Sequence, residues 1–240
     1  MNAASPEPVG MPPTVTIDLG EPLQKYWLER AQQALVDSYA GIHMMKFPED
    51  LRTYEHLLWL DRPNVVIEIG THLGGSALWF RDRLLTMASY GRIVSPLVVS
   101  IDIDQTRAHV ALLAVDPHYD RSVVLLEGDV RDPDLRTLVS GVIPDSARCL
   151  VVEDSAHEYE TTIGALGALS VFVPEGGFFV VEDGCVDIDE MRVDPDWPRG
   201  VLPAVDAWLR SEPGKKFEIR RDLKLYGVSC HPSGFLQRVR

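Results

Sequence analysis

The sequence predicts an α/β fold, a mostly parallel sheet with helices on both faces, from three observations. From residue 64 onward, short β-branched runs alternate with helical segments, the pattern of repeated strand-helix-strand units. Each run is almost continuously apolar, as a strand covered on both faces requires. The 240 residues, 45% of them hydrophobic, suffice for one such domain with a core on each side of its sheet.

Residues 1 to 20 hold four prolines and two glycines without a hydrophobic period and read as a flexible arm. Two helices are expected next, within residues 21 to 60. The first runs from about residue 22 to 39. The second lies between 47 and 60, where Leu51, Tyr54, Leu57 and Leu58 form an apolar stripe and Pro48, Glu49 and Asp50 suit the first turn. The main domain then occupies residues 61 to 240. Its expected strands are NVVIEI (64 to 69), LVVSIDI (97 to 103), SVVLLE (122 to 127), RCLVVED (148 to 154) and GFFVVED (177 to 183), each with acidic residues at its end. A helix over about 202 to 210, followed by KFEIRRD, KLYGVSC and GFLQRVR, predicts an antiparallel hairpin closing the sheet edge.

A net charge of −13, from 36 acidic and 23 basic residues, disfavours nucleic acid and anionic membrane surfaces, so small molecules are the expected partners. Cys149, Cys185 and Cys230 are far apart and suggest neither a zinc site nor a disulfide framework. No signal-peptide pattern opens the chain, and no run reaches the roughly 18 to 20 apolar residues of a membrane span. A soluble protein of the cytoplasm is expected.

Carboxyl ends of parallel strands open onto the ligand crevice in such sheets, which places the acidic strand ends for binding. The first strand enters Glu68-Ile69-Gly70-Thr71-His72-Leu73-Gly74-Gly75-Ser76, with a helix expected from about Ser76. Glycine at such a turn lets the backbone approach a ligand closely. The spacing is Gly-x-x-x-Gly-Gly, not the Gly-x-Gly-x-x-Gly of dinucleotide sites, and Glu68 stands two residues before the first glycine. A pyrophosphate disfavours that carboxylate, whereas a cofactor with an amino group and a sulfonium suits it. S-adenosylmethionine is therefore the expected cofactor, with Glu68, Gly70, Thr71, Gly74 and Ser76 around it. Asp102, with Asp104 as the competing choice, is placed to accept hydrogen bonds from ribose hydroxyls, and Asp129 is the candidate for the adenine edge.

Asp154 and His157 follow the fourth strand and Glu182 and Asp183 end the fifth, so the four converge if the strands are neighbours. Carboxylate oxygens suit Mg²⁺, or Mn²⁺ or Ca²⁺, and Asp154, Glu182 and Asp183 are the expected ligands. A metal acidifies and orients an alcohol, and an imidazole then takes its proton, so His157 is the expected base, with Asp154 sharing the catalytic centre.

These residues resemble the cephalosporin hydroxylase family of class I methyltransferase-like proteins, which includes rhamnosyl O-methyltransferases and sugar O-methyltransferases of macrolide and enediyne-type natural products. The resemblance spans residues 47 to 240. It rests on Pro48-x-Asp50-Leu51-x-x-Tyr54, Glu68-x-Gly70-Thr71-x-x-Gly74-Gly75-Ser76, Ser100-Ile101-Asp102-Ile103-Asp104, Asp154-x-x-His157, Val181-Glu182-Asp183 and Pro232-x-Gly234-Phe235-Leu236-x-Arg238-Val239-Arg240. It implies a Rossmann-like seven-stranded sheet, S-adenosylmethionine on Glu68, Gly70 and Asp102, Mg²⁺ on Asp154, Glu182 and Asp183, and His157 as base. Relatives carry a further acidic residue where this chain has Ala156, and an acceptor-facing loop where it has residues 185 to 200.

The expected acceptor is a small-molecule hydroxyl, most simply on a deoxysugar of a natural product. The acidic balance favours a neutral glycoside; Arg192, Arg199, Lys215, Lys216, Arg220 and Arg221 are the groups that would offset a nucleotide sugar's charge. Two other readings are antibiotic tailoring by hydroxylation or methoxylation, for which no iron-ligand motif stands out, and a non-catalytic binding protein, against which the joint retention of Asp154, His157, Glu182 and Asp183 argues. A homo-oligomer is expected, with Tyr26, Trp27, Tyr39, Met44 and Met45 available to meet a second copy.

Overall fold

A computed structural model describes residues 22–239; the expected arm over residues 1 to 20 lies outside them. Helix α1 (Leu23–Ala34) is shorter than the expected span of 22 to 39. The chain leaves it for a two-stranded hairpin, β1 (Ser38–Tyr39) and β2 (Ile42–His43), then enters α2 (Pro48–Asp61). The hairpin forms because Ala40 and Gly41 both take positive φ, 51° and 84°, the conformation that closes a two-residue turn. Gly41 was the signal for it.

The five apolar runs form a parallel array. They are β3 (Val65–Ile69), β4 (Leu97–Asp102), β5 (Val123–Glu127), β6 (Cys149–Glu153) and β7 (Phe178–Val181), separated in turn by α3 (Gly75–Ser89), α4 (Thr106–Val115), α5 (Leu135–Val142) and α6 (Tyr159–Leu169). After α7 (Val201–Leu209) come β8 (Phe217–Ile219) and β9 (Phe235–Arg238), and the seven strands lie in the order β5-β4-β3-β6-β7-β9-β8. β9 is antiparallel to both neighbours, so the expected closing hairpin is present. The run KLYGVSC is not one of its strands. Ser229 Oγ and Cys230 N donate to the two oxygens of Asp50 on α2, at 2.6 and 3.0 Å, which holds this segment against a helix instead of the sheet.

Strand alternation divides the core. Val66 and Val180 face a layer built from α2 and α3 that contains Tyr54, Leu57, Leu58, Phe80 and Leu84. Ile67 and Phe179 face the other, with Leu135, Leu166 and Trp208. Several side chains considered for contact with a second copy are used internally: Trp27 stacks on Phe47 with ring centres 5.0 Å apart and donates to Met191 O, and Tyr39 donates to Asp82. Among the described residues no helix is long and apolar enough to cross a membrane. β3 pairs with both β4 and β6, so chain connections diverge here and leave a crevice at the strands' carboxyl ends.

Candidate active site

Gly70 ends β3 at φ +94°, where a Cβ would lie 1.9 Å from the carbonyl oxygen of Asp154. The approach follows from pairing: Asp154 N donates to Ile69 O at 2.9 Å, so the turn after β3 and the end of β6 abut through backbone. Glycine is required at this position by both conformation and space. Above this contact opens a cavity of about 470 Å³, within the range of small-molecule sites.

Of the residues expected around the cofactor, Gly70, Thr71, Ser76, Asp102 and Asp129 line the cavity, and Glu68 and Gly74 do not. Gly74 caps α3, where a Cβ would meet the Leu112 side chain at 2.9 Å. Asp102 Oδ2 accepts the N–H groups of Thr71 (2.9 Å) and His72 (3.2 Å), and Oδ1 accepts that of Ile103, which locks the glycine turn onto β4. Oδ2 is thereby filled, while Oδ1 retains capacity for one more donor. Asp104 caps the start of α4 through Thr106 N and lies off the cavity, so of the two ribose candidates only Asp102 faces it. Asp129 grips Arg131, and the guanidinium's hydrogen bonds drive its carboxyl down to about 2.

Glu68 is fully buried one layer behind the turn. Its Oε2 accepts from Ser100 Oγ at 2.7 Å, and Oε1 has no partner. Burial pushes this carboxyl up to about 7, against the opposing effects of the Lys46 charge and the Ser76 and Ser100 hydroxyls. A raised acid binds more protons folded than unfolded, so its stabilisation is complete at low pH and is lost as pH rises from about 4.5 through 7. Glu68→Gln is expected to flatten this slope, gaining up to about 3 kcal/mol on the wild type between about pH 5 and 8. Melting temperatures across that range check it; equally steep curves for both proteins would overturn the assignment.

The acidic strand ends divide into two sets. Asp154, His157 and Asp183 line the cavity, and one ligand atom of each lies within 4.8 Å of the others. His157 Nε2 is 3.4 Å from Asp183 Oδ2, and its Nδ1 is buried without a partner. Burial lowers the His157 pKa, but the charges of Asp183, Asp154, Glu153 and Glu182 outweigh it and the net shift is upward. Asp183 takes φ +53° and its N–H donates to His231 Nδ1 at 3.1 Å. Glu182 turns the other way, into the protein. Its Oε2 accepts from Lys46 Nζ at 2.6 Å and its Oε1 from Tyr54 OH at 2.6 Å. Lys46 Nζ also donates to Asp154 Oδ2 at 2.5 Å.

The structure therefore groups Asp154 and Asp183 with His157 at the cavity and ties Glu182 to a lysine that sequence reasoning did not single out. A lone lysine between the buried Met44 and Phe47 was the available signal, since such a charge must be paired if buried. The two cavity-facing carboxylates suit a hard divalent cation that keeps open positions, and they leave the His157 imidazole beside it for proton transfer. Residues 185 to 200 approach this cluster through Trp197, whose ring centre lies 6.2 Å from that of His157.

A seven-stranded sheet in the order β5-β4-β3-β6-β7-β9-β8, with β9 reversed and a small-molecule cavity at the divergence of strand order, is the architecture of class I methyltransferase-like enzymes. The family model for Rhamnosyl O-methyltransferase/CmcI matches residues 32–239. The chain belongs to this family, and with it to the S-adenosylmethionine-dependent O-methyltransferases. It is 28% identical over 205 residues to the rhamnosyl O-methyltransferase of Mycobacterium tuberculosis, covering 84% of this chain and 78% of that protein. In fold it is similar to an apo-structure of CmcI (23% identity, TM-score 0.63, 97% of this chain and 91% of that one). A CmcI structure with Mg and S-adenosylmethionine superposes with a TM-score of 0.60 at 21% identity, covering 95% of this chain and 90% of that one.

Proposed function

We propose that this enzyme methylates a hydroxyl of a sugar, of the deoxysugar or rhamnosyl type, within a natural product, using S-adenosylmethionine and Mg²⁺. The observation that carries the reading is the convergence of Asp154, His157 and Asp183 on a cavity that the glycine turn and Asp102 also line. The naming of its relatives for a rhamnosyl acceptor, and the Mg and S-adenosylmethionine of the CmcI structure, support it.

Gly70, Thr71, Ser76 and Asp102 hold the donor, with Asp102 accepting from ribose hydroxyls. Asp154 and Asp183, with Glu182 beside them at the strand end, would hold the metal, which when bound would lower the acceptor hydroxyl's pKa and orient it. The hydroxyl oxygen attacks the methyl carbon, the carbon–sulfur bond breaks toward sulfur, and His157 takes the hydroxyl proton. Asp183 beside His157 stabilises the resulting imidazolium. Of the basic residues considered for a nucleotide sugar, none lines the cavity; Arg192 is spent on the carbonyls of Val186, Pro195 and Trp197, and Arg220 on Asp222, while Arg131, which does line it, is paired with Asp129. That distribution favours a neutral glycoside.

Calorimetric titration of metal-stripped protein with S-adenosylmethionine and, separately, Mg²⁺ tests the reading. Micromolar cofactor binding is expected, with Mg²⁺ binding lost in Asp183→Asn. Absence of cofactor binding under every metal condition would overturn the proposal.

A further inference from the structure

Lys46 is 3% exposed, and its ammonium spans two of the three acidic residues at the strand ends, Asp154 and Glu182. It arrives from the segment between β2 and α2, immediately after Met45, which takes φ +56°. The geometry leaves Asp154 Oδ2 and Glu182 Oε2 both occupied by the same cation, while Tyr54 fills the other Glu182 oxygen. An ammonium that donates to two carboxylates at once is held as a cation by that pairing.

A cation held on Asp154 and Glu182 repels any second cation brought to the same strand ends, and it occupies oxygens that a metal would otherwise use. We propose that Lys46 is a built-in counter-ion of the metal site: it keeps Asp154 and Glu182 together before metal arrives and weakens the site's grip on any added cation. Lys46 acts through the two carboxylates and is a positioning residue. This inference rests on the proposed assignment of Asp154 and Asp183 to the metal.

Removing the charge should bare Asp154 and Glu182 to the added ion and tighten binding. Lys46→Gln keeps hydrogen-bond donors and drops only the charge, and Lys46→Met drops both. Each is expected to bind Mg²⁺ at least about tenfold more tightly than wild type in calorimetry, because a unit charge within a few ångströms of the ion opposes it strongly. Tb³⁺, followed by its luminescence, should gain more than Mg²⁺, since the lost repulsion scales with the ion's charge. In EDTA both variants should melt below wild type, and saturating Mg²⁺ should close most of that gap. Tyr54→Phe removes a neutral donor from the same Glu182 carboxylate and should leave Mg²⁺ affinity within about threefold, which separates charge from hydrogen bonding.

Mg²⁺ binding that Lys46→Gln and Lys46→Met leave equal to wild type, or weaken, overturns the role of Lys46 while the metal assignment stands. Binding in the variants but none in wild type keeps the repulsion by Lys46 and overturns the use of Mg²⁺ by the native enzyme. Absence of Mg²⁺ and Tb³⁺ binding in all of these proteins overturns both readings together. If Lys46→Met does not fold without metal, Lys46→Gln carries the comparison.

Discussion

His157→Ala is expected to lower the turnover number for methyl transfer by about 10²- to 10⁴-fold, the usual worth of a positioned acid–base group. The imidazole is held at the cavity by a backbone at φ +56° and faces Asp183 at 3.4 Å, so it can take up a proton beside a charge that stabilises it. The loss should fall on turnover and not on the affinity for S-adenosylmethionine, because Asp102 and the glycine turn lie on other strand ends. His157→Asn is the companion variant, since asparagine tolerates positive φ and separates loss of the base from backbone disturbance. Steady-state kinetics at saturating acceptor check it. Unaltered turnover in both variants would remove the base assignment.

Gly70→Ala is expected to destabilise the fold by about 2 to 4 kcal/mol, from positive-φ strain together with overpacking. The new methyl would meet the Asp154 carbonyl oxygen at 1.9 Å, and neither group can rotate away, because a Cβ is fixed on the backbone and the carbonyl is backbone in a residue whose N–H is bonded to Ile69 O. For a domain of this size the melting temperature should fall by roughly 5 to 15 °C. Cofactor affinity should fall with it, since relief requires the turn to part from the end of β6. Differential scanning calorimetry and cofactor titration measure both; a variant with wild-type melting and affinity would show that the contact yields cheaply.

The parallel strands were legible because burial on both faces leaves near-continuous apolar runs, and β3 to β7 fall inside the expected spans. The glycine turn was legible for a local reason, its spacing. What escaped depends on partners remote in sequence. Lys46 lies 108 residues from Asp154 and 136 from Glu182, and no local pattern announces that pairing. Adjacent Glu182 and Asp183 look alike as letters, yet one side chain turns into the protein and the other to the cavity. The run 224 to 230 has the composition of a strand, but Asp50 on α2 claims its backbone and Ser229. β1 was absorbed into an overlong helix and β2 was left unassigned, because each strand has two residues.

The clamp on Asp50 has a consequence for how the site matures during synthesis. Asp50 anchors Ser229 and Cys230, and the next residue, His231, accepts the Asp183 N–H that accompanies the left-handed bend there. A growing chain that has already stacked β3, β4 and β6 still lacks this last brace until residues 229 to 231 have left the ribosome and found α2. The acidic pocket therefore takes its final shape only when a segment near the far end of the chain docks on α2.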